Sequence, residues 1–463
     1  MTTAASPSHL RTEIAATLRL AGPLALANLL QMAVYATDVI FVARLGDETL
    51  AASSLAVSLF GLLIWSCTAL TGAVSPLIAA ELGQRKHAVR EVRRSVRMAL
   101  WLAVLCTAVG MIACQFGGAV MLATGQNPRI AAHAQGFLTV LSLSILPTII
   151  GNVLRSFVSA IGRPIYATII TALAIAANAV GNYAFVYGHL GVPALGLNGS
   201  ALSTLLTTSV MLAAYLVAIY TDRHLRRYRV LGRWWRPEWS RLRELWRIGL
   251  PIALTVVAEA GLFGSAAFLM GRLGPAQLAA HAIALQLAAA FFQIPLGIGQ
   301  AVTIRVGYHF GAGDRVAVAR AGNVALIVCV VTQALAAAVM MLVPRLVLAI
   351  YIDVGAAANT GLVALATRYL IVAAAFQLFD GVQAVAAGAL RGLQDTRVPM
   401  VMALAGYWPV GFVLALWLGL FTPWAGVGVW LGLMAGLAVV SVLLLWRWHW
   451  RERLRLTGPH TPG

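Results

Sequence analysis

The chain has 463 residues, of which 60 % are hydrophobic and 10 % charged, and it carries a net charge of +18. An apolar share that large excludes an ordinary soluble domain, whose surface needs far more polar side chains. The four cysteines, Cys67, Cys106, Cys114 and Cys329, fall inside apolar stretches without metal-ligand spacing, which argues against a disulfide or metal scaffold.

A bilayer core takes roughly 20 apolar residues per helix. The polar breaks predict twelve spans, near 17–43, 50–80, 93–116, 131–158, 164–188, 194–220, 246–271, 276–307, 318–345, 358–390, 398–420 and 424–447. The first begins after Arg11 and Glu13, is too long for a signal-peptide core and has no convincing cleavage site, so it is expected to stay in the membrane. Along it lie Gln31, Tyr35 and Asp38 on one face, and before them Pro23, where a bend could move the carboxylate. By helical rise Asp38 stands about 9 Å from Arg44.

In the fifth span Asn178 and Asn182 are one turn apart, where an unpaired amide would be costly. They either glue helices together or join Asp38 and Thr204 of the sixth span. The second arrangement would make an oxygen-rich pocket for Na⁺, or a hydrogen-bond network around a proton-binding carboxyl. Between the sixth and seventh spans, residues 222–247 interleave nine arginines with Trp234, Trp235, Trp239 and Trp246. A nucleic-acid surface with stacking platforms has that composition. A linker on the inner leaflet, with arginines toward anionic lipid and tryptophans at headgroup level, has it too, and the placement of the other charges favours lipid over nucleic acid.

The seventh span carries Glu259 between Thr255 and Phe263, about 18 Å by helical rise from Arg247 and Arg272. His281, near one end of the eighth, either packs and hydrogen-bonds or handles protons. The tenth carries Asp380 among Phe376, Gln377 and Gln383. Of fifteen acidic residues, only Asp38, Glu259 and Asp380 fall well inside spans, with Glu81 bordering the second. A charged carboxylate there costs about 2.5–3.5 kcal/mol on insertion scales. Such a group persists either as interhelical glue or because it exchanges ions, and aromatic and amide neighbours make a binding wall for an organic cation.

The two halves repeat. Arg44-Leu45-Gly46 before Leu50-Ala51-Ala52 recurs as Arg272-Leu273-Gly274 before Leu278-Ala279-Ala280, a shift of 228. Pro23 and Pro251, and Gly83 and Gly311, keep that shift, while Gly162 and Gly392 differ by 230. Six spans per half is an even number, so the repeat is parallel and the halves suit alternating access. The expected organisation is an N-lobe over 1–221, a basic linker over 222–247 and a C-lobe over 248–463. Of 33 Arg and Lys, 28 fall on one side of the spans, which places both termini in the cytoplasm.

The segment Gln377-Leu-Phe-Asp380-Gly-Val-Gln383, continuing through Gly388-Ala-Leu-Arg-Gly392 to Asp395-Thr396 and Pro399-Met400, resembles the tenth-helix signature of the multidrug and toxic compound extrusion family, NorM-like branch. Asp38 before Ala43-Arg-Leu-Gly46, and Glu259, fit the same family, so the resemblance spans nearly the whole chain. It implies an all-α integral membrane protein of twelve helices in two six-helix lobes forming a V. Such a protein expels small, often aromatic organic cations from the bacterial inner membrane in exchange for H⁺ or Na⁺, as a monomer, without a further cofactor and without being an enzyme. Carried over by position, Asp38, Asn178, Asn182 and Thr204 look like an N-lobe cation site, a possible Na⁺ site, with Gln31 beside it. Glu259 and Asp380 look like a C-lobe acidic site. Tyr35, Phe263, Phe376 and Gln383 are expected at the substrate. Sodium-coupled relatives often have tyrosine where this chain has Phe376, which tilts the expectation toward protons. The rival within the wider superfamily is a lipid-linked precursor flippase, whose pyrophosphate cargo would call for cationic groups in the cavity, whereas the charges deep in these spans are all acidic. A channel or receptor gains little from the repeat and the paired acidic sites, and no nucleophile, metal cluster or phosphate loop suggests an enzyme.

Overall fold

A computed structural model describes residues 7–84, 88–232 and 234–457. Arg85, Lys86 and Arg233, which contribute to the charge bias, lie outside the described residues. Among the described residues twelve helices are long and apolar enough to cross a membrane, and there is no strand. They are α1 Pro7–Ala43, α2 Asp47–Gln84, α3 Ala88–Gln115, α4 Pro128–Ala160, α5 Ile165–Tyr187 and α6 Leu197–Thr221. The second set is α7 Trp239–Leu273, α8 Pro275–Gly311, α9 Arg315–Leu342, α10 Thr360–Gly392, α11 Arg397–Leu420 and α12 Ala425–His449. Large apolar side chains such as Val39, Ile40, Ile112, Phe116 and Val442 stand on the surface, where water would make them unfavourable.

Several helices run past their apolar stretches, and ion pairing explains it. α3 continues through Glu91, Arg94 and Arg97, and α7 reaches back to Trp239, because the charged residues there are neutralised within the protein. Arg241 pairs with Glu91 at 2.6 Å, with Glu244 at 2.9 Å and with Glu81 at 3.4 Å. Arg94 and Arg97 both pair with Glu238. The linker expected to lie on lipid through its arginines is therefore corrected in part: Arg241, and the acidic Glu238 and Glu244, are spent on protein contacts. Trp234, Trp235, Trp239 and Trp246 remain exposed.

Prolines break the helical register where their rings meet the carbonyl four residues back. α2 slips at Ala73, before Pro76. α4 tightens to a 3₁₀ turn over Ser142–Ser144, before Pro147. α11 widens to a π-helix over Gly406–Phe412, around Pro409. Polar residues cap the ends: Asp314 accepts from the Ala317 N–H at 2.9 Å and Asn127 from the Arg129 N–H at 2.9 Å.

The chain divides into two compact units, Leu26–Ala253 and Met1–Ala25 with Leu254–Gly463. Their edges differ from the expected 221 and 248, because the first turns of α1 and α7 each pack with the other half of the chain. In the C-terminal unit, Glu13 of α1 pairs with Arg305 of α8 at 2.6 Å, and Gly297 lets the Ala25 backbone approach. In the N-terminal unit, the Arg241 pairs fix the start of α7, and Gly249 accommodates the Leu70 backbone. Each edge falls two residues beyond a proline of the repeat, Pro23 or Pro251.

Small residues hold the C-terminal unit tightly together. Gly388 of α10 rests on the Gly299 backbone of α8, and the Thr303 hydroxyl donates to both Gly299 O and Gly388 O at 2.8 Å. Gly432 and Gly436 of α12 take the backbone of α11 at Ala415 and Gly411. Close backbone approach of this kind is how helices associate without a hydrophobic gradient between them and lipid.

Candidate functional site

Two polar clusters sit inside the helical units, one in each. In the N-terminal unit, α1 brings Asp38 opposite α5 and α6. Asp38 Oδ1 accepts from Asn178 Nδ2 at 2.8 Å and from Asn182 Nδ2 at 2.7 Å. The Thr204 hydroxyl lies 3.5 Å from Asp38 Oδ2. The two asparagines stack along α5, Asn182 Nδ2 also donating to Asn178 O at 3.0 Å, and the Ser203 hydroxyl donates to the same carbonyl at 3.0 Å. Gly181 permits that approach, since a Cβ there would stand 2.6 Å from Ser203 Oγ. Both asparagines are fully buried, while Asp38 and Thr204 are half-buried.

The structure thus brings together Asp38, Asn178, Asn182 and Thr204. Both amides turn N–H groups toward the carboxylate, whereas a hard cation such as Na⁺ takes oxygen ligands. In this cluster Asn182 Oδ1 is a buried amide oxygen without a protein hydrogen-bond partner. Gln31 is half-buried on the same helix, and the Tyr35 ring, 48 % exposed, lies within electrostatic range of Asp38. A cavity of about 350 Å³ opens in this unit along Leu45, Thr49, His133, Leu197 and Asn198, and none of the four clustered residues lines it.

In the C-terminal unit one amide ties two carboxylates. Gln383 Nε2 donates to Glu259 Oε1 at 3.0 Å and to Asp380 Oδ1 at 3.1 Å. Its other end is fixed as well, because the Tyr407 hydroxyl donates to Gln383 Oε1 at 2.8 Å. Asp380, Gln383 and Tyr407 are buried and Glu259 is half-buried. Tyr407 arrives through the π-helical stretch of α11, whose extra residue per turn rotates the following side chains. Among the described residues no Arg or Lys makes an ion pair with Asp38, Glu259 or Asp380. The Arg391 guanidinium, farther along α10, acts on Glu259 only at longer range.

Aromatic rings frame this second cluster. Phe263 meets Phe376 edge to face at 6.0 Å, Phe376 meets Trp430 at 5.5 Å, and Trp430 meets His281 at 5.4 Å. Phe376 is buried and has no hydroxyl to offer an ion. Thr255 is half-buried on α7, one turn from Glu259.

Sequence reasoning missed Tyr407, Trp430 and Gln333. Pro409 in mid-span was the one available hint of the distortion that delivers Tyr407. Nothing in the sequence singled out Trp430 among thirteen tryptophans. Arg155 of α4 donates to Asn28 Oδ1 of α1 at 2.5 Å, a contact the sequence did not suggest.

The MatE family model matches residues 23–184 and 251–417. The chain is 47 % identical over 452 residues to a "Probable multidrug resistance protein NorM" of Mesorhizobium japonicum, covering 97 % of each. It is 44 % identical over 438 residues to a protein of the same name from Brucella suis, covering 94 % of this chain and 93 % of that one. Among solved structures, the eukaryotic MATE transporter AtDTX14 superposes with a TM-score of 0.85 at 18 % identity, over 97 % of this chain and 98 % of that chain, a likeness of fold.

Proposed function

The chain belongs to the MatE family, and we propose that it is a multidrug exporter that expels small organic cations in exchange for protons. The names of its relatives support multidrug export, and the sites support the exchange. The observation that carries proton coupling is the position of Gln383 Nε2 between Glu259 and Asp380. An amide N–H occupies the place a shared metal ion would need, and Phe376 supplies no oxygen in compensation.

The chemistry follows from what surrounds the carboxylates. Neutral amides hold Asp38 and Asp380, so no permanent cation cancels their charge. As anions they accept the amide N–H groups and attract a cationic drug through charge and the faces of nearby rings. When a proton binds, the attraction vanishes and an acceptor becomes a donor, so drug and proton exclude one another. In an alternating-access cycle, protonation from outside releases the drug there and deprotonation inside restores the binding form. A membrane potential adds about 2.3 kcal/mol per net charge per 100 mV. The setting that fits is the bacterial inner membrane, with both termini in the cytoplasm and the exposed linker tryptophans at headgroup level.

Purified protein in proteoliposomes tests the reading by efflux of an ethidium-like dye. A pH gradient is expected to drive it and a sodium gradient to add nothing. Efflux that follows sodium alone would refute proton coupling. Dye movement under neither gradient would favour the lipid-linked precursor flippase.

A further inference from the structure

Beyond the two carboxylate clusters, the C-terminal unit contains a row of buried polar groups that the proposed exchange does not use. It follows matching faces of α8 and α10. At one end, two residues inside the start of α8 at Pro275, the Tyr369 hydroxyl of α10 bonds Gln277 Oε1. Gly426 of α12 lies directly against both groups. One turn farther, His281 of α8 meets Trp430 of α12, which is one turn on from Gly426. Farther still, Gln377 of α10 donates to the Ala288 carbonyl of α8 at 3.3 Å, and the next turn of α10 carries Asp380. From Tyr369 to Asp380 the row covers about 16 Å of helix.

Several of its polar atoms lack protein partners. Both ring nitrogens of His281, Trp430 Nε1, Gln377 Oε1 and both amide atoms of Gln333 are buried without a hydrogen bond to protein. The residues themselves are at most 1 % exposed. Gln333 of α9 packs against Gly381, beside Asp380. Among the positions between these groups, Ala280, Ala284, Ala373 and Ala374 are small, beside the larger Leu287, Leu370 and Phe376. Buried polar atoms in native proteins are met by protein or by ordered water, and here protein does not meet them.

From this juxtaposition we propose that the row from Gln277–Tyr369 to Asp380 holds a file of water that carries protons to the Glu259–Asp380 pair, with His281 as its relay. A neutral imidazole has one donor and one acceptor nitrogen, so it passes a proton along a water chain without a net change of charge. The titratable groups on the packed elements are Tyr369 at the entrance from α10 and, at the carboxylate end, Cys329 from α9, Glu259 from α7, Tyr407 from α11 and Arg391 beyond Asp380. No proton need pass through the N-terminal unit to reach this pair.

The inference rests on proton-driven export, and the two are tested apart. Radiolytic hydroxyl-radical footprinting of the unmodified protein reads water next to a side chain. His281 and Trp430 are expected to be oxidised despite their burial, and if both stay unmodified the file is dry and the proposal falls. In proteoliposomes, His281→Leu is expected to slow pH-gradient-driven dye efflux at least fivefold, while the equilibrium Kd for dye stays within twofold of the parent. His281→Gln, which holds water again, should recover part of the rate. Equal rates for the parent and His281→Leu, or a Kd that weakens in step with the rate, would overturn the relay. A parent that ignores the pH gradient would instead sink the proton reading, and this proposal with it.

Discussion

The Tyr407 hydroxyl donates to Gln383 Oε1 at 2.8 Å, and this one bond decides which way the Gln383 amide faces. With its oxygen engaged, Gln383 can turn only N–H groups to Glu259 and Asp380. Tyr407→Phe removes the donor and leaves a buried acceptor unmet, a loss of about 1–3 kcal/mol. Dye efflux in cells is expected to slow about tenfold with protein level unchanged, and a variant that exports at the parent rate would show that the amide orientation is immaterial.

Asp38→Asn and Asp380→Asn keep the size of each side chain and remove the charge that drug and proton would share in the proposed exchange. Each is expected to abolish resistance to ethidium-like dyes while the protein stays in the membrane at normal levels. Resistance assays beside quantitative membrane blots check this. Normal export by both variants would end the assignment of these carboxylates.

The contact between α8 and α10 predicts a stability effect separate from transport chemistry. A Cβ at Gly388 would stand 2.5 Å from Gly299 O, and the facing atoms are backbone. Gly388→Val is expected to cost about 1–3 kcal/mol through overpacking, lowering the melting temperature in detergent by several degrees. Gly361→Ala on the same helix, where nothing lies within 4 Å of the new methyl group, serves as the neutral comparison.

Asp222, just past α6, predicts a pH dependence outside the membrane. Burial alone would raise its carboxyl, but the His224 N–H at 2.8 Å, the Tyr166 hydroxyl at 3.1 Å and the Arg163 charge outweigh that and hold it below the ordinary value. A carboxyl lowered on folding adds stability above its unfolded pKa of about 3.9, and that stability is lost as pH falls through the folded value. Melting temperatures of the parent and Asp222→Asn should therefore differ most near neutral pH and converge below about pH 4. A difference that is constant with pH would point to packing instead.

Read alone, the sequence determined the number of spans, the doubled unit and the three carboxylates inside it. The physical reason is that a bilayer imposes its thickness on every helix and penalises every buried charge, so both leave a mark readable along one dimension. It also marked Asn178, Asn182 and Thr204, polar residues conspicuous in apolar surroundings. What it left open depends on how each helix is rotated about its own axis. These helices are apolar on nearly every side, so hydropathy carries almost no record of that rotation. Only the tertiary structure decided that Gln383 would bridge Glu259 and Asp380, that a proline-driven π turn would bring in Tyr407, and that Trp430 would stand against His281. It also decided that the first turns of α1 and α7 would pack with the opposite halves of the chain, through an ion pair and glycine contacts whose partners lie more than a hundred residues away.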